Sequence, residues 1–258
     1  MAKIYLSMIS SLALVSCNSA KHAEPQKHGI EAAWHEATGA LDGDCKHAGV
    51  NPDGGVQFIS TCPQRSTSPD RRWTLVQTPA VGSEEAYEVY ILANDGAKVS
   101  GVPGLNDGMP FDLHWSPRPN WFFVNHHVGS FLDQPEIYEI VDGAVVRRAE
   151  TSKEGLKQAQ RISPCLRNLN WDWATGLAYG WSSDGRKIAW LFTTRPDACV
   201  GLDHEGEIPP EKRWKSFYMI SDAETGAIVP GSIRIDESEG PAVLPKDGPY
   251  AEFQRASS

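Results

Sequence analysis

Apolar side chains recur along this chain in short alternating runs, and three passages carry the same pattern. They are "STSPDRRWTLVQ" near residue 70, "LHWSPRPNWFFVNHH" from residue 113 and "YGWSSDGRKIAWLFTT" from residue 179. Each joins a Ser-Pro or Ser-Ser turn to a polar pair and then to a run rich in Trp, Phe, Val and Ile, which reads as a strand. Pro and Ser start such a turn, and Gly or Asn tolerates its unusual dihedrals.

The sequence after each passage extends the pattern. "EAYEVYILANDGAKVSG" (85–101), "PEIYEIVDGAVVRRAE" (135–150) and "KSFYMISDAETGAIVPG" (215–231) each run a Tyr-containing strand into an Asp-Gly or Thr-Gly turn and out into another strand. With "GVQFIS", "FDLHW" and "LAYGW" placed before the three Ser-centred turns, every unit reads as four strands. The chain is therefore expected to be all-β, built of repeated four-stranded antiparallel meanders over about 55–101, 110–150 and 176–234. The turn and the later hairpin are similar to those of TolB-like β-propeller repeats, and the resemblance covers residues 55–234.

That resemblance implies a small or incomplete propeller-like assembly, because propellers usually carry at least four blades and three are legible. The spacing is uneven: Pro117 follows Pro69 by 48 residues and Ser183 follows Pro117 by 66. The excess falls in "TSKEGLKQAQRISPCLRNLNWDWATG", which holds a helix-compatible run near 152–161. A fourth blade assembled from the chain ends, including "PYAEFQR", is one outcome, and an open or sandwich-like assembly is the other. A short N-terminal helix is expected over 29–41, with Ile30, Ala33, Trp34 and Ala37 on one face against the sheets. Residues 29–258 form a single β-rich domain in this reading.

The N-terminus reads as an export signal over residues 1–16, with Lys3 ahead of an apolar stretch from Ile4 to Val15 that is too short to span a membrane comfortably. Its exit, Leu14-Val15-Ser16-Cys17, resembles the lipobox of bacterial lipoproteins. The resemblance implies that Cys17 becomes the lipid-modified first residue and that 17–28 is a flexible tether. With Asn18 after the cysteine, it also implies the periplasmic face of the outer membrane. The other reading, an ordinary signal cut after Ala20, is poorly served by Asn18, which is not the small residue expected three places before the cut.

Four cysteines remain, Cys45, Cys62, Cys165 and Cys199, an even number in an exported chain, which points to two disulfides. Of three connectivities, the sequence-local one, Cys45 with Cys62 and Cys165 with Cys199, is preferred. A four-thiol metal site is disfavoured because no C-x-x-C pair is present.

Charge narrows the partners. The 258 residues carry a formal charge of -9, which becomes -10 when Lys3 leaves with the signal. Such a surface repels phosphate backbones, and no basic run offsets it, so nucleic acid is not expected as a partner. Basic or sugar-like partners stay open.

The catalytic motifs are missing: the chain has no G-x-S-x-G, S-x-x-K, H-E-x-x-H or Gly-rich phosphate loop, and no cofactor is expected. Asp95, Asp107, Asp142, Asp184 and Asp247 each precede a Gly and read as turn residues. Asp112 and His114 stand on the strand before "SPRPN", and His126 and His127 on the strand after it. Alternation lets only one of the latter pair join His114, so these residues are weak metal candidates and His126 and His127 are binding candidates. Trp171 and Trp173, two apart in "NLNWDWATG", would share one face of a strand and are binding candidates too.

These features point first to a non-catalytic, envelope-anchored lipoprotein that binds a protein or a glycan, with an inhibitor or immunity protein as its specific form. The alternatives are an envelope hydrolase of glycans or peptides with its catalytic groups on blade loops, and a structural part of an envelope complex.

Overall fold

The computed structural model describes residues 55–59, 62–80, 87–95, 99–106, 108–129, 132–149, 157–158, 160–161, 174–194, 215–236 and 243–253. The export signal, the tether, the helix expected over 29–41, Cys17, Cys45, Cys165, Cys199, Trp171 and Trp173 lie outside the described residues.

The strands are β1 (Val56–Phe58), β2 (Gln64–Thr67), β3 (Trp73–Pro79), β4 (Tyr87–Ala93), β5 (Val99–Gly101), β6 (Phe111–Trp115), β7 (Trp121–Gly129), β8 (Leu132–Val141), β9 (Ala144–Ala149), β10 (Ala174–Trp181), β11 (Lys187–Thr194), β12 (Lys215–Asp222) and β13 (Arg234–Asp236). They form three antiparallel sheets, β2-β3-β4-β5, β1-β6-β7-β8-β9 and β10-β11-β12-β13, and none closes on itself. The protein is thus β-rich and built of meanders. Residues 157–158 and 160–161 are helical, inside the run 152–161.

The repeat is visible in the hydrogen bonding. In each copy the serine N–H crosses the turn to the carbonyl five residues on: Ser68 to Trp73, Ser116 to Trp121 and Ser182 to Lys187, all at 2.9 Å. One turn further along, Asn94 N–H reaches Arg72 O, Ile140 N–H reaches Asn120 O and Ala223 N–H reaches Arg186 O, at 2.8–2.9 Å. The first and third turns also share side-chain bonds. Ser68 Oγ donates to Asp70 Oδ1 at 2.6 Å, and Ser182 Oγ donates to Asp184 Oδ1 at 2.7 Å. Those carboxylates accept the N–H of Arg72 and of Arg186.

The turns need one left-handed residue each. It is Arg71 (φ 59°) in the first and Gly185 (φ 68°) in the third, both three residues after the serine, but Asn120 (φ 67°) in the second. The second copy has Pro119 at that position, and the pyrrolidine ring holds φ near −65° and offers no N–H. The left-handed conformation therefore moves one residue on, to an asparagine that tolerates it.

Successive sheets meet through a common contact. The indole of Trp115 donates to Ser66 Oγ of the first sheet at 2.9 Å, and that of Trp181 donates to His114 O of the second at 3.1 Å. In both cases the tryptophan precedes its own turn serine and the acceptor lies two residues before the neighbour's. The middle sheet is covered on both faces, which explains the unbroken apolar run Trp121-Phe122-Phe123-Val124. Phe122 and Val124 pack with Leu75, Val89 and Ile91 of the first sheet. Trp121 and Phe123 pack with Ile188, Trp190 and Phe217 of the third. A strand buried on both sides loses its polar alternation.

Two expectations are corrected. "GVQFIS" is not the first strand of the first unit: β1 pairs with β6, with Val56 opposite Leu113 and Phe58 opposite Phe111. Its alternation matches that of β6, and the Phe58 ring stacks on Phe111 with centroids 4.7 Å apart. The polar "QRST" takes the vacated place, and its buried Gln64 is satisfied by the carbonyl of Gln57 and the N–H of Ile59. "PYAEFQR" is the second correction, because Gly248–Phe253 is a 3-10 helix rather than a strand. Tyr250 and Phe253, one 3-10 turn apart, share a side and cover Leu191, Tyr218 and Ile220 of the third sheet.

Candidate functional site

A cleft of about 460 Å3 opens at the turn end of the junction between the first and second sheets. It is lined by Arg71, Arg72, Trp73 and the β4 end (Ala93, Asn94, Asp95) on one side, and by Asn120, Ile140, Asp142 and Gly143 on the other. Its size is that of an ordinary ligand pocket. Arg71, Asn120 and Asp142 are the non-glycine residues with positive φ among the described residues, and all three line this cleft. Asn and Asp adopt that conformation readily, and Asp142-Gly143 is the two-residue turn between Val141 and Ala144. Arg71 is the costly one, since a β-carbon in the left-handed region is strained by roughly 1 kcal/mol or more.

The backbone around Arg71 is held firmly enough to carry that strain. Its N–H donates to Ser68 O and its carbonyl accepts from Asn94 Nδ2 at 2.8 Å. Trp73 Nε1 donates to Asn120 Oδ1 at 2.8 Å, which ties the two walls together at the cleft floor. Among the described residues, neither the Arg71 nor the Arg72 guanidinium is held in an ion pair or hydrogen bond. The neighbouring Asp70 carboxylate is spent on the turn.

The next junction is bridged. Arg118 lies over the Trp121 ring at 4.6 Å and pairs with Glu224 of the third sheet at 3.6 Å. Gly185 packs so close to Ser116 and Arg118 that a β-carbon there would meet the Arg118 backbone N at 2.7 Å. Counting from the turn serine and from the strand-end hydrogen bond, Asp70 and Val141 hold the places of Arg118 and Glu224 in the first junction. An aspartate and a valine cannot bridge, so the first junction remains open. Electrostatics in the third turn serve the turn itself: the backbone N–H of Arg186, then the Ser182 hydroxyl, hold the Asp184 carboxyl below its ordinary range. Asp222 is also lowered, because its bonds from Thr225 and Glu224 outweigh the opposing effect of burial.

The histidines are elsewhere. The strands on either side of the turn pair as expected, and their register puts Asp112 opposite Asn125 and His114 opposite Phe123. His114 is buried, stacked on Phe123 at 4.5 Å and packed against Gly55. His126 is buried opposite Phe111, on the face turned to the first sheet. His127 is half-exposed, with Nδ1 2.8 Å from Asp133 Oδ1. Among the described residues no three His, Cys, Asp or Glu side chains gather as a metal site. Cys62 is buried and disulfide-bonded, and its bonding partner lies outside the described residues.

Sequence reasoning missed the cleft arginines, although a signal was present: "SPDRRW" aligned on "SSDGRK" puts Arg71 where the third copy has glycine. No family model matches the chain, and no curated protein matches it closely enough to count as a relative.

Proposed function

We propose that this protein is a non-catalytic binding module, held at the cell envelope by a lipid on Cys17, whose protein or glycan partner docks in the cleft between the first two sheets. The observation that carries this reading is the contrast between junctions. The same repeat that bridges its second junction with Arg118 and Glu224 leaves the first open, with a strained Arg71 beside it. Strained backbone concentrates where a ligand is held. An inhibitor or immunity role is the specific form of this reading, supported by the acidic charge and by a sequence without the G-x-S-x-G, S-x-x-K or H-E-x-x-H motifs. The repeated Trp115 and Trp181 contacts support a blade-like, partial-propeller relation among the three sheets.

Site-specific photo-cross-linking of the full chain in living cells tests the docking reading. A cross-linking residue in place of exposed Asp95 should give a discrete adduct, and one in place of Val243, exposed near the C-terminus, should give none. Equal adducts from both positions, or none from Asp95, would count against the cleft.

A further inference from the structure

Resting on the reading of the cleft as the docking site, we propose that it grips a carboxylate of a protein partner, an acidic side chain or a chain end, between Arg71, Arg72 and Asn120. The argument is an account of which polar groups are spent. Asn94 Oδ1 accepts from Thr74 Oγ1 at 2.8 Å and Asn94 Nδ2 donates to Arg71 O, so that side chain is used at both ends. Asn120 Oδ1 takes the Trp73 indole, leaving its amide NH2. Asp95 and Asp142 are each already engaged. Among the described side chains, what the cleft still offers is donors: two guanidinium groups and an amide. A ligand that fits must supply acceptors, and the planar guanidinium fork matches a carboxylate in a bidentate pair.

Charge and shape narrow the class further. Arg71, Arg72, Asp95 and Asp142 share the lining, so the described part of the cleft is formally neutral and a singly charged carboxylate suits it better than a doubly charged phosphate. Among the described lining residues the aromatic one, Trp73, is 8% exposed and belongs to the core between the sheets, so it offers no ring face on which a sugar could stack. A carboxylate on a protein is therefore favoured over a phosphate or a neutral glycan.

The test titrates the full chain, in detergent, with tetraglutamate and tetraglutamine, both as C-terminal amides so that only the side-chain carboxylates differ, and with inorganic phosphate and a neutral oligosaccharide. The Trp73 indole N–H, assigned by comparison with Trp73→Phe, reports on the cleft by NMR. Tetraglutamate should shift it and tetraglutamine should not. The double variant Arg71→Gln/Arg72→Gln should weaken tetraglutamate binding by about tenfold or more, as expected for losing charge-assisted bonds. An unchanged signal from the buried Trp190 indole would show that this variant still folds. Tighter binding of phosphate than of tetraglutamate would overturn the proposal. So would a shift by tetraglutamine or the oligosaccharide that survives the double variant, although the docking reading would then stand. No shift with any of the four also overturns the proposal, and the docking reading then rests on the Asp95 cross-link alone.

Discussion

Arg71 and Gly185 occupy the same place in two copies of one turn, and substitution should act on them in opposite directions. Their φ values, 59° and 68°, put both in the left-handed region. Arg71→Gly relieves a strain of roughly 1–2 kcal/mol and loosens the unfolded chain by about 0.4–1 kcal/mol, so the folded state should gain up to about 1.6 kcal/mol. For a domain of this size that is a rise in Tm of up to about 6 °C. Gly185→Ala adds the same strain and a collision besides: the new methyl would lie 2.6 Å from Arg118 Cβ and 2.7 Å from the Arg118 backbone N. A backbone atom cannot swing aside, so overpacking adds roughly 1–3 kcal/mol and the net loss is about 1–5 kcal/mol. Thermal and urea unfolding of the two variants beside the parent measure both signs. Loss of more than about 1 kcal/mol in Arg71→Gly would mean that the guanidinium supports the fold. The claim that Arg71 is strained for the sake of a ligand would then fail.

Three further outcomes are expected. Cys17→Ser should abolish incorporation of a labelled fatty acid and release the protein from the membrane fraction; incorporation that survives the substitution would reject the lipobox. Tyr250→Ala should uncover the outer face of the third sheet and remove the bond to Ser232 O, lowering stability by about 3–5 kcal/mol and Tm by roughly 6–20 °C, whereas a shift within about 2 °C would show that this 3-10 helix is not a structural cover. The Asp184 carboxyl is held below its ordinary range, so it releases its proton more easily folded than unfolded. Its contribution is present above the unfolded value near about 4 and is lost as pH falls through the folded one. Acid unfolding of Asp184→Asn should therefore show a weaker pH dependence below about pH 4 than the parent, and identical acid profiles would contradict the shift.

What was legible in the sequence was what depends on near neighbours. The Ser-centred turns close within five residues, and Asp142-Gly143 closes a hairpin within two, so their chemistry is written locally. The pairing of the strand holding His114 with the one holding His126 followed from the turn between them. The first strand of the first unit was misread because "QRST" is polar and its Gln64 is satisfied by β1, not by an apolar face. A better-patterned segment nearby, "GVQFIS", stood in for it. The cleft was out of reach for a different reason. Whether a junction is bridged depends on two residues from different sheets, Arg118 with Glu224 or Asp70 with Val141, and no spacing rule pairs positions so far apart.

The open junction does not require a loosely held one. Its floor is fastened by Trp73 on Asn120, and the inner strands by Trp115 on Ser66. Beneath them the sheets share a core that includes Leu75, Ile91, Phe122 and Tyr138, each fully buried. Burying such side chains is worth about 1.5–3 kcal/mol apiece, far more than one exposed Arg–Glu bridge, whose usual contribution is about 0–1 kcal/mol. Forgoing the bridge therefore takes little from stability and leaves two guanidinium groups facing solvent beside a rigid wall. For the same reason, losses of binding at Arg71 and Arg72 should come without losses of fold, and that separation distinguishes a docking cleft from a gap left by imperfect packing.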